Sequence, residues 1–255
     1  MLKFYTILPD NDDLRGARQA TKISILLEEL GEEFETIDMD RRNEVRPLGS
    51  EYRKKLNPNG RVPAIDDDGF VLWEVGAILN YIVSTREGGK YLRPESPKER
   101  AICDQWLYWE GTTLTPDLIA YLTLLTSMDA SFVASDLEAM VLAAGGAPFL
   151  LIGNDKEKDE AALEQARNMA KFNFGMLDSR LDGQDYILGD FSIADIALGV
   201  VTAIFLMGDI KMQPFKNVSA WLLRLAERSS FKNTSSYMDH IHSAQKAGRL
   251  SGSAQ

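Results

Sequence analysis

The stretch that decides the fold covers residues 57–65 and reads Asn-Pro-Asn-Gly-Arg-Val-Pro-Ala-Ile. Its first half has the composition of a tight turn, and its second half predicts a strand that is entered through Pro63. Proline removes a donor from the ladder of hydrogen bonds, so it is expected only at the first residue of such a strand or in a cis peptide bond. Residues 67–69, Asp-Asp-Gly, then predict a hairpin turn, and residues 70–73 predict the returning strand.

The segments on either side of this hairpin alternate between strand and helix patterns. In the first predicted helix, Ile23, Leu26 and Leu30 recur at helical spacing, and Gly31 ends it. The other segments follow the same rules of alternation and periodicity. The predicted elements are strands at 2–8 and 34–38, helices at 17–30 and 74–83, and a charged, irregular segment at 41–55. The order is therefore β-α-β-β-β-α, which is an α/β domain.

The second part of the chain changes character after a stretch rich in glycine and proline. Four long periodic segments follow it, and none has the pattern of a strand. These predicted helices cover residues 98–121, 157–181, 192–206 and 218–228. We therefore expect an α/β domain at 1–86, a linker at 87–97, an all-helical domain at 98–242 and a disordered tail at 243–255.

Three motifs resemble those of the glutathione transferase superfamily. Residues 57–65 are similar to its N-P-x-x-x-V-P-A-L segment, residues 73–82 to its E-S-x-A-I-x-x-Y-L segment, and residues 191–197 to its S-x-A-D helix start. Their order and spacing also agree with the family. The resemblance implies a thioredoxin-like N-terminal domain followed by an all-α C-terminal domain, with glutathione as the co-substrate.

The resemblance assigns parts of a glutathione site to five residues. A cis bond between Val62 and Pro63 would turn the backbone of Val62 outward, to pair with the cysteinyl part of glutathione. Glu74 would bind the ammonium of the γ-glutamyl end, and Arg61 is either a ligand of the glycyl carboxylate or a solvated surface residue. Val75 departs from the pattern, because the family has a serine there whose hydroxyl binds the γ-glutamyl carboxylate. Only the backbone N–H of Val75 can replace it, which predicts weaker binding.

Catalysis in this family consists of stabilising the glutathione thiolate, because the thiolate is the nucleophile. Aligning residues 22–29 with the first helix of Nu-like and Ure2-type transferases places Ala17 at their catalytic hydroxyl and Gln19 at their asparagine. Gln19 can donate to the sulfur through its amide. Without a cysteine at this position, disulfide chemistry is disfavoured. The alternatives to Gln19 are Asn11, Thr21, Thr6 and Tyr5, of which Tyr5 is better explained by packing.

The first long helix of the second domain flanks the hydrophobic substrate pocket in the family. Aromatic and hydroxyl side chains lie along it here, and most of them are expected in core or dimer packing. Tyr108, Trp109 and Thr112 are the pocket candidates. Trp106 and Tyr121 are the other two members of this group of aromatic and hydroxyl side chains. Residues 123–154 form a longer region between helices than compact transferases have, as in bacterial transferases that cleave aryl ethers.

Composition excludes other classes of function. Asp and Glu number 38 against 28 Lys and Arg, so the net charge is −10, and such a surface repels nucleic acid and anionic lipid. The single cysteine, Cys103, and two histidines predict no disulfide and no metal site. The N-terminus lacks a signal-peptide pattern, and no run is long enough to span a membrane, so a reducing, cytoplasmic location is expected.

The sequence therefore predicts a dimeric glutathione transferase that attacks a hydrophobic, aromatic electrophile, with β-aryl ether cleavage as the specific variant. The alternative is a weakly catalytic or non-catalytic subunit that acts as a heterodimer partner, ligand carrier or regulator. Ala17 and Val75 favour the alternative, whereas Glu74, Arg61 and the Val62-Pro63 pair favour the enzyme.

Overall fold

The computed structural model describes residues 1–7, 18–128 and 156–250. Its N-terminal part contains a four-stranded mixed sheet, as the sequence predicts, and the segment predicted as irregular contains a π-helical turn and a short helix. The strands are β1 (Leu2–Thr6), β2 (Phe34–Asp38), β3 (Ala64–Asp67) and β4 (Phe70–Trp73). The helices are α1 (Arg18–Leu30), α2 (Glu51–Lys55) and α3 (Val75–Thr85), and the π-helical turn covers Arg41–Val45.

The strand order in the sheet is β2-β1-β3-β4. β1 pairs parallel with β2 and antiparallel with β3, and β4 returns antiparallel along β3. Because β1 and β2 are parallel, α1 must run back across the sheet between them. The first residues of α1 therefore lie toward the edge at which β1 and β2 end.

The sheet is covered on both faces. Side chains alternate along β1, so that Leu2 and Phe4 are buried on one face and Tyr5 lies on the other. On the face of Tyr5, the buried residues Val45 and Tyr52 form an apolar cluster with the start of β3. The charged segment before the hairpin therefore has a structural role, because it packs against the strands that flank the motifs.

The regular elements described in the C-terminal part are all helices. Helix α4 continues into α5 through a π-helical turn, where the sequence predicts one regular helix. None of the described helices is long and apolar enough to cross a membrane. The helices are α4 (Pro97–Trp109), α5 (Thr115–Met128), α6 (Lys156–Arg180), α7 (Ile193–Phe205), α8 (Lys216–Ala226), α9 (Ser229–Lys232) and α10 (Ser235–Lys246), with π-helical residues at Glu110–Leu114 and a 3-10 turn at Gly89–Tyr91.

Helix α7 is the centre of the helical part, since every one of its residues is buried. It begins with a capping box in which Ser192 and Asp195 bind each other's backbone, as the S-x-A-D motif predicts. Asp195 also accepts from the indole N–H of Trp221 at 2.9 Å and from the backbone N–H of Ile187 at 2.8 Å. The motif therefore has a folding role.

The chain divides into two compact units, Met1–Cys103 and Asp104–Gln255. Their boundary falls inside α4 rather than in the predicted linker at 87–97. The predicted tail needs a correction, because α10 continues to Lys246 and Leu250 is buried, with its N–H donating to the carbonyl of Ala244. Residues 243–250 are thus part of the folded unit. Residues 251–255, and most of the extra region at 123–154, lie outside the described residues.

Candidate functional site

The strand register brings the motifs of the N-terminal unit to one edge of the sheet. Tyr5 of β1 pairs with Ala64 of β3, and Ala64 pairs with Trp73 of β4. Residues 62–63 come directly before β3, and residues 74–75 directly follow β4. The end of β1, the loop before β3 and the start of α3 therefore meet at this edge, which we call the motif edge.

The loop before β3 is held by two buried side chains. The peptide bond between Val62 and Pro63 is cis, as expected from the sequence. The carbonyl of Arg61 accepts a hydrogen bond from the hydroxyl of Tyr52 at 2.7 Å and another from the side-chain amide of Asn57 at 2.9 Å. Tyr52 and Asn57 are only 3% and 2% exposed. The backbone that leads into Val62 is thus fixed from inside the domain.

Arg53 closes the turn that precedes this loop. Its guanidinium donates to the carbonyl of Arg46 at 3.1 Å and to that of Pro58 at 2.6 Å. It lies over Gly60, whose φ is +61°, and a Cβ there would stand 2.5 Å from the guanidinium. The positive φ therefore favours glycine at position 60, and a Cβ there would also push the end of the Arg53 side chain aside.

Arginine side chains gather beside the same loop. Burial lowers the pKa of Arg46, and the positive charges of Arg41, Arg61 and Arg53 lower it further. Arg46 nevertheless keeps its positive charge at neutral pH, because the pKa of an arginine lies far above 7. Arg53 is engaged with backbone carbonyls, whereas Arg61 is exposed. This arrangement favours a carboxylate ligand beside Val62, and the sequence signal for it is the density of arginine between residues 41 and 61.

Glu74 stands at the motif edge in an unusual backbone conformation. Its φ is +72° and its ψ is 122°, values that L-residues rarely adopt and that are found most often at functional sites. It is exposed and forms the N-cap of α3, and its carbonyl accepts from the N–H of Ile78 at 2.9 Å. Val75 is the first residue of α3, where backbone N–H groups lack partners within the helix. An anionic group can bind there even without the missing hydroxyl.

The candidates for contact with the glutathione sulfur differ in exposure. Gln19 lies in the first turn of α1 and is half-buried, and its side-chain oxygen accepts from the ammonium of Lys22 at 2.8 Å. Thr21 and Thr6 are buried. Tyr5 packs against the apolar cluster below α2. Asn11 and Ala17 lie outside the described residues. Lys22 is not among the residues that the sequence predicts for the site. Its sequence signal is a lysine within the first two turns of a helix whose following residues are mostly apolar.

Comparisons with known proteins agree with this fold and these motifs. The family model for the glutathione S-transferase N-terminal domain matches residues 13–84, and the model for the C-terminal domain matches residues 142–229. The chain belongs to the glutathione transferase superfamily. Glutathione is the co-substrate of this superfamily, as the motifs imply.

Individual relatives within the superfamily are distant. Glutathione S-transferase D6 of Drosophila melanogaster is 26% identical over 212 residues, which cover 82% of this chain and 83% of that protein. The glutathione transferase URE2P8 from Phanerochaete chrysosporium, solved with oxidized glutathione, is 20% identical with a TM-score of 0.67 and covers 96% of each chain. The β-etherase LigF from Sphingobium sp. strain SYK-6 is 22% identical with a TM-score of 0.62 and covers 91% of this chain and 97% of that one. At these identities the two structures establish the shared fold.

The pocket candidates of this transferase lie at the end of α4 and in the π-helical turn that follows it. Tyr108 is 73% exposed, and its carbonyl accepts from the hydroxyl of Thr112 at 2.8 Å. Trp109 is half-buried and contacts Trp106 edge to face, with ring centroids 5.3 Å apart. Tyr121 is fully buried, which fits core packing. Tyr108 and Thr112 thus share a surface, whereas Trp109 belongs to an aromatic pair. No group of side chains suited to a metal ion occurs in the part of the chain that is described.

Proposed function

We propose that this protein is an active glutathione transferase that uses the glutathione thiolate to attack a hydrophobic, aromatic electrophile. The observation that carries the proposal is the motif edge. There the cis Val62-Pro63 loop and Glu74 are brought together by the strand register, and α1 begins at the same edge with Gln19 in its first turn.

Each end of glutathione has a chemically suitable partner at this edge. The backbone N–H and C=O of Val62 suit the cysteinyl part of a peptide that lies antiparallel to it. Glu74 suits the ammonium of the γ-glutamyl end, and the N–H of Val75 suits its carboxylate. The arginine cluster, with Arg61 exposed, suits the glycyl carboxylate, since guanidinium and carboxylate form strong charge-assisted hydrogen bonds.

The chemistry then needs one donor at the sulfur. The thiol loses its proton to solvent, and a hydrogen bond from the side-chain amide of Gln19 stabilises the thiolate that remains. The sulfur forms a bond to an electrophilic carbon of the acceptor, and the leaving group departs with its electron pair. Asn11 and Thr21 stay alternative donors.

An aromatic acceptor suits the aromatic side chains of α4. We propose that Tyr108, Trp109 and Thr112 contact it, through stacking and the Thr112 hydroxyl. Aryl ethers with a β-oxygen leaving group are the acceptor class to test first, because the β-etherase LigF shares this fold and a long stretch of chain, residues 129–155, separates α5 from α6. Thiolate attack at the ether-bearing carbon would release a phenolate.

Binding and turnover should be tested separately. Calorimetric titration with glutathione is expected to show binding at micromolar to millimolar concentration, and a panel of halonitroaromatics, peroxides and β-aryl ethers is expected to give a glutathione conjugate or its products with at least one acceptor. The variant Gln19→Met is expected to bind glutathione but to react more slowly. Binding without any product over the whole panel would contradict the proposed enzyme.

The second candidate is a subunit that binds a ligand or a related chain without efficient turnover. Val75 is the observation in its favour, because it leaves the γ-glutamyl carboxylate without a hydroxyl partner. Failure to bind glutathione at millimolar concentration would support this candidate.

We also propose that the protein works as a dimer in a reducing compartment, the cytoplasm. The single cysteine supports the location, since disulfides form and persist in oxidising compartments and one cysteine cannot form a disulfide within the chain. Native mass spectrometry of the purified chain is expected to show a homodimer. A monomer that dimerises only with a related chain would instead indicate a heterodimer.

A further inference from the structure

Lys22 is a charged residue of the N-terminal unit whose side chain is fully buried. It lies on α1 and is 0% exposed, which places it among the largest fully buried side chains of the described residues. Moving an ammonium group out of water is strongly unfavourable unless the group is paired or hydrogen-bonded. A methionine or leucine would fill the same volume at no such cost, so the positive charge itself needs an explanation.

The ammonium of Lys22 is directed toward the beginning of α1. Side chains on a helix lean toward its N-terminus, so a long side chain reaches the residue three positions before it. Here the Nζ atom of Lys22 donates to the Oε1 atom of Gln19 at 2.8 Å. The positive charge therefore lies beside the first turn, which contains no acidic residue.

This hydrogen bond fixes the orientation of the Gln19 amide. An ammonium group donates only, so it can bind the oxygen of the amide and not its nitrogen. The amide nitrogen, with its two N–H donors, must then point away from Lys22. A glutamine without such a partner can flip and present either end.

We propose that Lys22 is the positioning residue that makes Gln19 a donor to the glutathione thiolate. Lys22 holds the oxygen of the amide, and the N–H groups of the amide are left for the sulfur. The ammonium also polarises the amide, which strengthens its N–H groups as donors. This role rests on the proposed function, since it requires glutathione at the motif edge and Gln19 at the sulfur.

The test measures the pKa of the bound glutathione thiol, followed through the ultraviolet absorbance of the thiolate during a pH titration. Four proteins are compared: the wild type, Lys22→Met, Gln19→Met and the double variant. We expect Lys22→Met to raise the thiol pKa by about 1 and to change the glutathione Kd by less than about threefold. Lys22→Arg, which keeps the charge and the donors, should restore part of the effect.

The double variant separates positioning from a direct effect of the charge. If Lys22 acts through Gln19, then Lys22→Met adds little to the thiol pKa once Gln19→Met is present. An equal rise in both backgrounds would overturn the proposal, as would an unchanged thiol pKa in Lys22→Met with glutathione affinity intact. Circular dichroism confirms that each variant is folded.

A further variant tests the orientation without replacing the buried lysine, in case Lys22→Met does not fold. In Gln19→Glu the ammonium would hold one carboxylate oxygen and leave the other, which cannot donate, facing the sulfur. We expect a thiol pKa above that of Gln19→Met, and a value at or below it would overturn the proposal.

Failure of the proposed function has a different signature. A wild-type protein that does not bind glutathione overturns the proposed function and this role together. Binding with an unchanged thiol pKa in Gln19→Met leaves the transferase proposal standing and overturns the roles of Gln19 and Lys22.

Discussion

Val75 is the residue at which this transferase departs most clearly from the motif of its family. It opens α3 next to Glu74, so its backbone N–H lies at the motif edge while its side chain offers no hydrogen bond. A carboxylate bound there would keep its contact with the helix N-terminus and lose one donor. A hydrogen bond to a charged group contributes about 1.5–3 kcal/mol to binding. A water molecule can take the place of the missing hydroxyl, so the loss of binding free energy is smaller than this.

Restoring the hydroxyl should strengthen glutathione binding. We expect Val75→Ser to lower the Kd for glutathione about fivefold, because a serine hydroxyl can donate to the γ-glutamyl carboxylate. Val75→Ala is the matched control, since it removes the same methyl groups without adding a donor. Calorimetry on both variants measures the difference. Equal affinities of the serine and alanine variants would show that the γ-glutamyl carboxylate does not bind at position 75.

At the scale of elements, the sequence predicts most of the N-terminal sheet but not what holds its loops. The strands at 34–38 and 70–73, the turn at Gly60 and the capping box of α7 are confirmed, because alternation, glycine and capping chemistry act within a few residues. The contact of Tyr52 with the Arg61 carbonyl was missed, since it depends on how the segment at 41–55 folds back onto the sheet. That segment has no periodic pattern from which its packing could be derived.

The backbone before Val62 should be held less firmly when the hydroxyl of Tyr52 is removed. Tyr52→Phe removes one of the two hydrogen bonds to the carbonyl of Arg61, and we expect it to weaken glutathione binding about fivefold and to lower the free energy of unfolding by about 1 kcal/mol. Tyr81→Phe is the control, because its hydroxyl donates to Asp67 at 2.7 Å at the opposite end of β3. Urea unfolding should show a similar loss for both variants. Equal glutathione affinity in the two would contradict a positioning role for Tyr52.

The capping box of α7 should make the stability of the protein depend on pH. Burial raises the pKa of Asp195 from 3.8 to about 6, although hydrogen bonds from Ile187, Trp221 and Ser192 oppose the rise. Between these two values the folded state binds more protons than the unfolded state, so stability falls as pH rises. The contribution is complete below about pH 4 and is lost above about pH 6, and it amounts to about 3 kcal/mol.

Asp195→Asn is the variant that isolates this contribution. It cannot titrate, so the difference in free energy of unfolding between wild type and variant should fall by about 3 kcal/mol from pH 4 to pH 7. Chemical denaturation at several pH values measures it. A difference that is constant over this range, or that grows with pH, would mean that the carboxylate is ionised throughout. The hydrogen bonds would then lower the pKa of Asp195 by more than burial raises it.

At the scale of the whole molecule, the net charge of the chain and the charge of the arginine cluster have opposite signs. The net charge is −10, which repels an anionic ligand at long range, yet Arg41, Arg46, Arg53 and Arg61 are gathered beside the Val62-Pro63 loop. Glutathione carries two carboxylates, so it meets general repulsion and local attraction. Because the Debye length is about 30 Å at 0.01 M salt and about 8 Å at 0.15 M, salt screens the distant charges first and close pairs least.

Replacing Arg61 should therefore weaken glutathione binding more than replacing a distant lysine does. We expect Arg61→Gln to raise the Kd for glutathione about five- to tenfold at 0.15 M salt, because a direct carboxylate partner is lost where distant charges are already screened. Lys90→Gln, at an exposed residue that follows the end of α3 farthest from the motif edge, changes the net charge by the same amount and should alter the Kd by less than about twofold. Calorimetry at low and physiological salt separates the two effects. If both variants lose affinity equally at low salt and neither does at 0.15 M, only the net charge matters and Arg61 does not bind the glycyl carboxylate.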